Sequence, residues 1–130
     1  MRYTLLLHYP EMMADGQLSD EAIEQGQAAF NDYAKALNAA GVLVSAEVLQ
    51  PTSATTSVSR KTGELVVQDG PFADTKEALG GSFVIDVADL DSALEWAGDA
   101  PSVQWGTVEI RPGATWFDTS ADAWQGDARS

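Results

Sequence analysis

The chain has 130 residues, no cysteine, and seven Lys and Arg against twenty Asp and Glu, which gives a formal net charge of -13. This length fits one domain with its own core, and the lack of cysteine excludes disulfides, thiolate metal sites and thiol nucleophiles. The charge repels phosphate backbones and anionic membrane surfaces, so binding to nucleic acid or to a membrane is not expected. Because no apolar run approaches the roughly 20 residues of a membrane span and no signal-peptide pattern is present, a cytoplasmic protein is expected.

The chain opens with a predicted strand and a predicted long helix. Residues 2–9 alternate, so that Tyr3, Leu5, Leu7 and Tyr9 share one face. Ser19 stands where an N-cap is preferred and Gly41 where helices commonly stop. The apolar positions between them recur at helical spacing, so one helix face is expected to be buried.

A second strand and a hairpin are predicted next. Residues 42–50 have period two, which places Val44, Ala46 and Val48 on the core face and Leu43 on the opposite face. Two β-rich runs, 55–59 and 64–68, flank a short loop that contains Gly63. This pattern is typical of a hairpin.

The stretch "VVQDGPFADTKEALGG", residues 66–81, predicts a corner. Residues 69–72 form a rigid elbow because Pro71 has a fixed φ, and Phe72 is expected to point into the core. Asp74 and Glu77 match the D-x-x-E pattern of a helix capping box, which predicts one helical turn that Gly80 ends. A strand at 82–87 is expected to follow.

A second helix, capped by Asp89 and closed by Gly98 and Pro101, precedes a last strand at 104–111. The order predicts an α+β fold, the ferredoxin-like split β-α-β arrangement with an inserted β-hairpin, in which both helices cover one sheet face. The other face mixes apolar and charged residues, which favours packing against a second copy, so a homodimer is expected.

Several of these segments carry a resemblance to a known family. The chain resembles the DGPF-domain branch of the YCII-related proteins through residues 69–77 "DGPFADTKE", the following "LGG", the helix "DVADLDSALEWA" and the terminal "GTVEIRP". The resemblance covers residues 1–112 and implies a dimeric α/β barrel domain, with residues 113–130 as a partly mobile extension. In the broader family, a His and Asp pair with the His on the first helix implies enzymatic activity. That helix has no His here, so the pair is not carried over.

His8 is the chain's single His and is a candidate catalytic acid or base, which Glu47, Asp86 or Glu109 can orient. A structural hydrogen bond at an interface is the alternative role. Asp74 is a second catalytic candidate, although a helix capping box is the favoured explanation of the Asp74 and Glu77 pattern. One His argues against a haem or a multi-histidine metal centre, and no metal site or cofactor is expected.

Three functions stay open at this point. The first is a non-catalytic homodimer that binds a small-molecule ligand or regulates. Its candidate ligand-binding residues are Asp69, Phe72, Lys76, Glu77 and Arg111, with Arg2 beside Arg111 able to bind a carboxylate or phosphate. The second is a lyase-like or isomerase-like enzyme that uses His8 with carboxylates at the barrel mouth. The third, contact with a basic transcription regulator, follows from the negative charge.

Overall fold

The computed structural model describes residues 1–11 and 19–126, which form eight strands and two α-helices. In chain order the elements are β1 (Arg2–Tyr9), α1 (Asp20–Ala39), β2 (Leu43–Val48), β3 (Thr56–Ser59), β4 (Val66–Asp69), β5 (Ala78–Asp86), α2 (Leu90–Gly98), β6 (Thr107–Pro112), β7 (Trp116–Asp118) and β8 (Ala123–Gln125). Four of the strands form an open sheet in the order β2-β5-β1-β6, in which all neighbours are antiparallel. The fold is therefore α+β, as predicted, and β3 with β4 forms the predicted hairpin as a separate sheet.

The core lies on one face of the four-stranded sheet. From β1 and β5 it receives Leu5, Leu7, Phe83 and Ile85, none more than 2% exposed, and each contributes about 1.5–3 kcal/mol by burial. Both helices join the same cluster, α1 through Tyr33 and Leu37 and α2 through Ala93 and Ala97. The prediction that the two helices cover one face is confirmed.

Both predicted helix caps are confirmed by their hydrogen bonds. The Ser19 hydroxyl accepts from the Ala22 amide at 3.1 Å, and Gly41, with φ +75°, follows the end of α1. Asp89 Oδ1 accepts from the amide and the hydroxyl of Ser92, each at 2.9 Å. These two bonds stabilise the ionised carboxylate, so they lower the pKa of Asp89.

The predicted orientation of β2 is wrong at its first residues. A register shift between Leu43 and Ser45 lets Leu43 pair with Ile85 and pack against the core, while Val44 is 42% exposed. Ala46 pairs with the buried Phe83, which agrees with the predicted face, but Ala46 and Val48 are both exposed and do not join the core. The shift is a bulge, which reverses the face of every side chain on one side of it.

The predicted helical turn after Asp74 does not form. β5 begins at Ala78, four residues earlier than predicted, and Ala78 pairs with Tyr9 on β1. A single helical turn is marginal in water, whereas the strand gains ladder hydrogen bonds and a buried Ala78. The predicted helix stop, Gly80, instead lies inside β5. It is unpaired because the register passes from Leu7 opposite Gly81 to His8 opposite Leu79.

Phe72 is not a core residue, since 89% of it is exposed. Its elbow contains Gly70, whose φ of +94° is in the left-handed region that favours glycine. The Gly70 amide donates to the Thr55 carbonyl and its carbonyl accepts from the Ser57 hydroxyl, so the elbow is tied to the hairpin and not to the core.

The extension after β6 contains a second hairpin that the sequence analysis did not predict. In β7 and β8, Phe117 meets Trp124 edge to face at 5.5 Å between centroids. Trp116 lies under the Arg2 guanidinium, 4.4 Å from the ring centroid. Residues 127–130 of the extension lie outside the described residues.

Candidate functional site

The sheet face opposite the helices carries the candidate site, and we call it the outer face. It consists of Arg2, Thr4, Leu6, His8, Ser45, Glu47, Leu79, Ser82, Val84, Asp86, Thr107, Glu109 and Arg111. Neither helix covers it, yet Leu6 and Val84 at its centre are only partly accessible because their strand neighbours flank them. An uncovered face with apolar residues at its centre is typical of a surface that meets a partner or a ligand.

His8 lies on this face beside the Glu109 carboxylate, and the Glu77 carboxylate contacts the residue opposite His8. Its Nε2 is 2.6 Å from Glu109 Oε1, but the two atoms are not aligned as a hydrogen bond. The contact is a salt bridge when the imidazole is protonated. Opposite His8 on β6, the Thr107 hydroxyl donates to Glu77 Oε1 at 2.8 Å. Together, His8, Glu109, Thr107 and Glu77 form what we call the His8 cluster. An imidazole next to carboxylates can accept or release a proton.

Close backbone packing fixes the strand that carries His8. Gly106 runs against the end of β1 so closely that a Cβ there would lie 2.8 Å from the Tyr9 Cβ and nearer still to the His8 carbonyl. On the other side, the Tyr9 hydroxyl donates to the Gly80 carbonyl at 3.1 Å. Burial, and to a smaller degree the Glu11 carboxylate, raise the pKa of Tyr9, which keeps its hydroxyl protonated as a donor.

Asp69 and Asp74 lie in a different place from His8. They line an open cleft of about 500 Å³ with Glu11, Thr52, Ser53, Gly70 and Pro71. The Glu11 carboxylate is occupied there, since it accepts from the Thr52 amide at 2.9 Å and from the Thr52 hydroxyl at 2.7 Å. Within residues 1–11 and 19–126, no hydrogen bond or ion pair joins His8 to Asp69 or Asp74.

The other predicted site residues separate into exposed and outer-face positions. Phe72 and Lys76 are exposed, while Glu77 belongs to the His8 cluster through Thr107. Arg111 lies opposite Thr4 at the far end of the outer face from His8. In the described part of the chain, no three His, Asp or Glu side chains are grouped so that they could hold a metal ion.

Sequence reasoning gave Thr107 and Glu11 no role at the site. Thr107 bonds to a residue 30 positions away and Glu11 to one 41 positions away, and neither segment has a local motif that marks the contact. Strand alternation did place Thr107 on the outer face, so a systematic pairing of β1 with β6 would have found it opposite His8.

Comparison with known proteins gives two matches. A family model described as "YCII-related domain" matches residues 1–116. The chain is also 44% identical over 75 residues to an uncharacterized protein of Rhizobium meliloti (strain 1021), an alignment that covers 56% of this chain and 60% of that protein. The aligned part thus spans about three fifths of that relative. Among the described residues, neither helix has the length and apolar character to span a membrane.

Proposed function

We propose that this chain, which belongs to the YCII-related family, is a homodimeric protein that binds a small-molecule ligand between two outer faces. In this arrangement the two ferredoxin-like protomers form a dimeric α/β barrel with the His8 cluster inside it. The observation that carries the proposal is the outer face itself, a four-stranded surface with Leu6 and Val84 at its centre that neither helix covers.

Charge favours a second copy as the occupant of this face. Two of the seven Lys and Arg lie on it, against three of the twenty Asp and Glu, or four with Glu77 of the His8 cluster, so its formal charge is only -1 to -2 while the remaining surface holds most of the net charge of -13. Two such chains repel each other through every other surface, and the outer face is where that repulsion is smallest. Pairing through it also removes apolar side chains from water.

The polar residues of the outer face explain why a ligand is expected between the copies. His8 and Glu109 are 26% and 50% exposed, and a dry interface would have to desolvate both. A chamber that holds water or a ligand avoids this cost and keeps both side chains able to form hydrogen bonds. The apolar centre then seals the interface and the His8 cluster lines the chamber.

The solution mass tests the dimer directly, by sedimentation equilibrium with circular dichroism as the check on folding. We expect the unmodified chain to be dimeric at micromolar concentration and Leu6→Asp to be a folded monomer, because each copy would bury an unpaired carboxylate. Val58→Asp is the matched control, since Val58 is 66% exposed on β3, and it should remain dimeric. A monomeric unmodified chain, or a dimer that survives Leu6→Asp, would refute the proposal.

A second candidate is catalysis by His8, which the 2.6 Å contact with Glu109 favours. Here His8 transfers a proton as in lyases and isomerases, Glu109 orients it, and Glu77 assists in the role first given to Asp74. The test is a screen of isomerase and lyase substrates with the unmodified chain and with His8→Asn, in which a polar amide replaces the imidazole. Turnover that is lost in His8→Asn while the dimer persists would establish the enzyme, and turnover that is unchanged would exclude this mechanism.

A further inference from the structure

Two arginines occupy the end of the outer face away from the His8 cluster. Arg111 on β6 lies directly opposite Thr4 on β1, and Arg2 is the next outer-facing residue along β1. Diagonal neighbours on adjacent strands are about 7–8 Å apart, within reach of long side chains. We infer that Arg2, Thr4 and Arg111 form a binding site for an anionic oxygen group of the ligand, either a carboxylate or a phosphate.

The Arg2 guanidinium is held in place but lacks an acceptor. It lies over the Trp116 ring at 4.4 Å from the centroid, a cation-π contact that fixes its plane. Its Nε is shielded from water and has no hydrogen-bond partner among the described residues. The guanidinium also forms no ion pair within the described residues, so its terminal N–H groups are the donors left for an oxygen of a bound anion.

The Trp116 ring packs closely against the segment that follows β8. Gly126 follows β8 with φ +88°, and a Cβ at this position would lie 2.7 Å from the Trp116 Cζ3. This close contact limits the movement of the indole. The donor is thus organised before the ligand arrives, which lowers the entropy cost of binding.

The acidic residues that could neutralise these arginines have other contacts. Asp86 is opposite Arg2 in the register, but its Oδ1 lies 3.1 Å from the amino group of Met1. Glu109 is two residues from Arg111 along β6, but it contacts His8. Within the described ranges neither arginine forms an ion pair, so two positive charges remain uncompensated in a chain of net charge -13. Such a pair attracts an anion of small size.

This inference rests on the proposed function, because it names the ligand class for the same face. It also separates the roles of the two ends of that face. The arginines bind the charged group of the ligand, while the His8 cluster lies about 14 Å further along β1 from the Thr4 position, at roughly 3.4 Å per residue. A ligand with one anionic end and a polar or protic end fits this spacing.

Titration calorimetry at low ionic strength tests the site, with inorganic phosphate and succinate as separate probes. We expect at least one probe to bind the unmodified chain and to bind Arg111→Gln and Arg2→Gln about tenfold or more weakly, as for loss of a charge-assisted hydrogen bond. Arg60→Gln is the control for net charge, since Arg60 is exposed in the β3–β4 loop and contacts the carbonyl of Gly63.

The probe that binds identifies the anion: phosphate alone assigns a phosphate group, succinate alone a carboxylate, and both together the shared chemistry. Binding of neither probe, or equal weakening in Arg60→Gln, would overturn the inference. Sedimentation of the same samples separates the two proposals. A dimer that binds neither probe overturns only the anion site, and a monomer that binds one overturns only the dimer.

Discussion

Replacing Gly80 by alanine should destabilise the protein more than any glycine-to-alanine change in a helix. A Cβ at position 80 would lie 2.6 Å from Cε1 of Tyr9, with Cζ and the hydroxyl oxygen closer still. Ordinary carbon contacts are about 3.5–4.0 Å, so the ring has to move by more than about 1 Å. Tyr9 is 9% exposed and meets Trp105 edge to face at 5.1 Å, so the ring has little room to move.

The expected cost follows from two effects. Overpacking a filled site costs about 1–3 kcal/mol. Moving the ring also breaks the 3.1 Å bond from the Tyr9 hydroxyl to the Gly80 carbonyl, worth about 1 kcal/mol. We therefore expect Gly80→Ala to lower the free energy of unfolding by about 2–4 kcal/mol, which corresponds to roughly 10 °C in Tm for a chain of this size.

Urea unfolding followed by circular dichroism measures this cost, with two controls. Gly26→Ala in α1 meets nothing within 4 Å and should raise stability by about 0.5–1 kcal/mol. In a Tyr9→Leu background the Gly80→Ala change should cost at least 1 kcal/mol less than in the unmodified chain, about the coupling seen between contacting residues. If Gly80→Ala is as stable as the unmodified chain, or if Tyr9→Leu does not reduce its cost, the packing argument is wrong.

Three further predictions concern Tyr33, Asp89 and Phe72. Tyr33→Phe should cost about 1 kcal/mol in thermal unfolding, because the Tyr33 hydroxyl donates to the Trp96 carbonyl at 2.6 Å and joins the two helices. Burial, and to a smaller degree Asp99, raise the pKa of Tyr33. The contribution of the Tyr33 hydroxyl to the free energy of unfolding is therefore full below the unfolded pKa near 10 and is lost as pH rises above it. The Tyr33→Phe variant should not show this alkaline loss of stability. The pKa of Asp89 is lowered, so its cap is intact above about pH 4 and is lost as pH falls further, and Asp89→Ala should abolish this acid-dependent loss of α2 helicity by circular dichroism. Phe72→Ser should change stability by less than about 0.5 kcal/mol because Phe72 is 89% exposed, and a larger loss of Tm would place it in the core after all.

The parts of the fold that the sequence predicts well are those whose signals are local and agree with their packing. The alternation of β1, the Ser19 cap and the Asp89 cap each lie within a few residues of the structure they specify, and all three are confirmed. The strand order also follows, since helices after β1 and β5 leave few ways to pair the four strands.

The segment between Asp74 and Gly81 shows why the rest was not predictable. Its local pattern favours a capped turn, yet the structure is decided by Tyr9, about 70 residues earlier, which packs its ring over Gly80 and pairs with Ala78. No window of neighbouring residues contains that information. The site was likewise predictable only in part. Strand alternation placed His8 and Glu109 on one face, but it could not place Glu77 beside Thr107, which is 30 residues away.

The unpaired Gly80 also determines which acid reaches the outer face. Counting back from the buried Phe83 in steps of two, positions 81, 79 and 77 would all face the helices. Because Gly80 is one extra residue, the residues before it lie on the opposite faces to those that this count gives. Ala78 is buried opposite Tyr9, Leu79 faces outward opposite His8, and Glu77 contacts Thr107 on the outer face. In a strand without the surplus residue the Glu77 carboxylate would point toward the apolar core. A single extra position in β5 thus brings the Glu77 carboxylate to Thr107, the residue opposite His8.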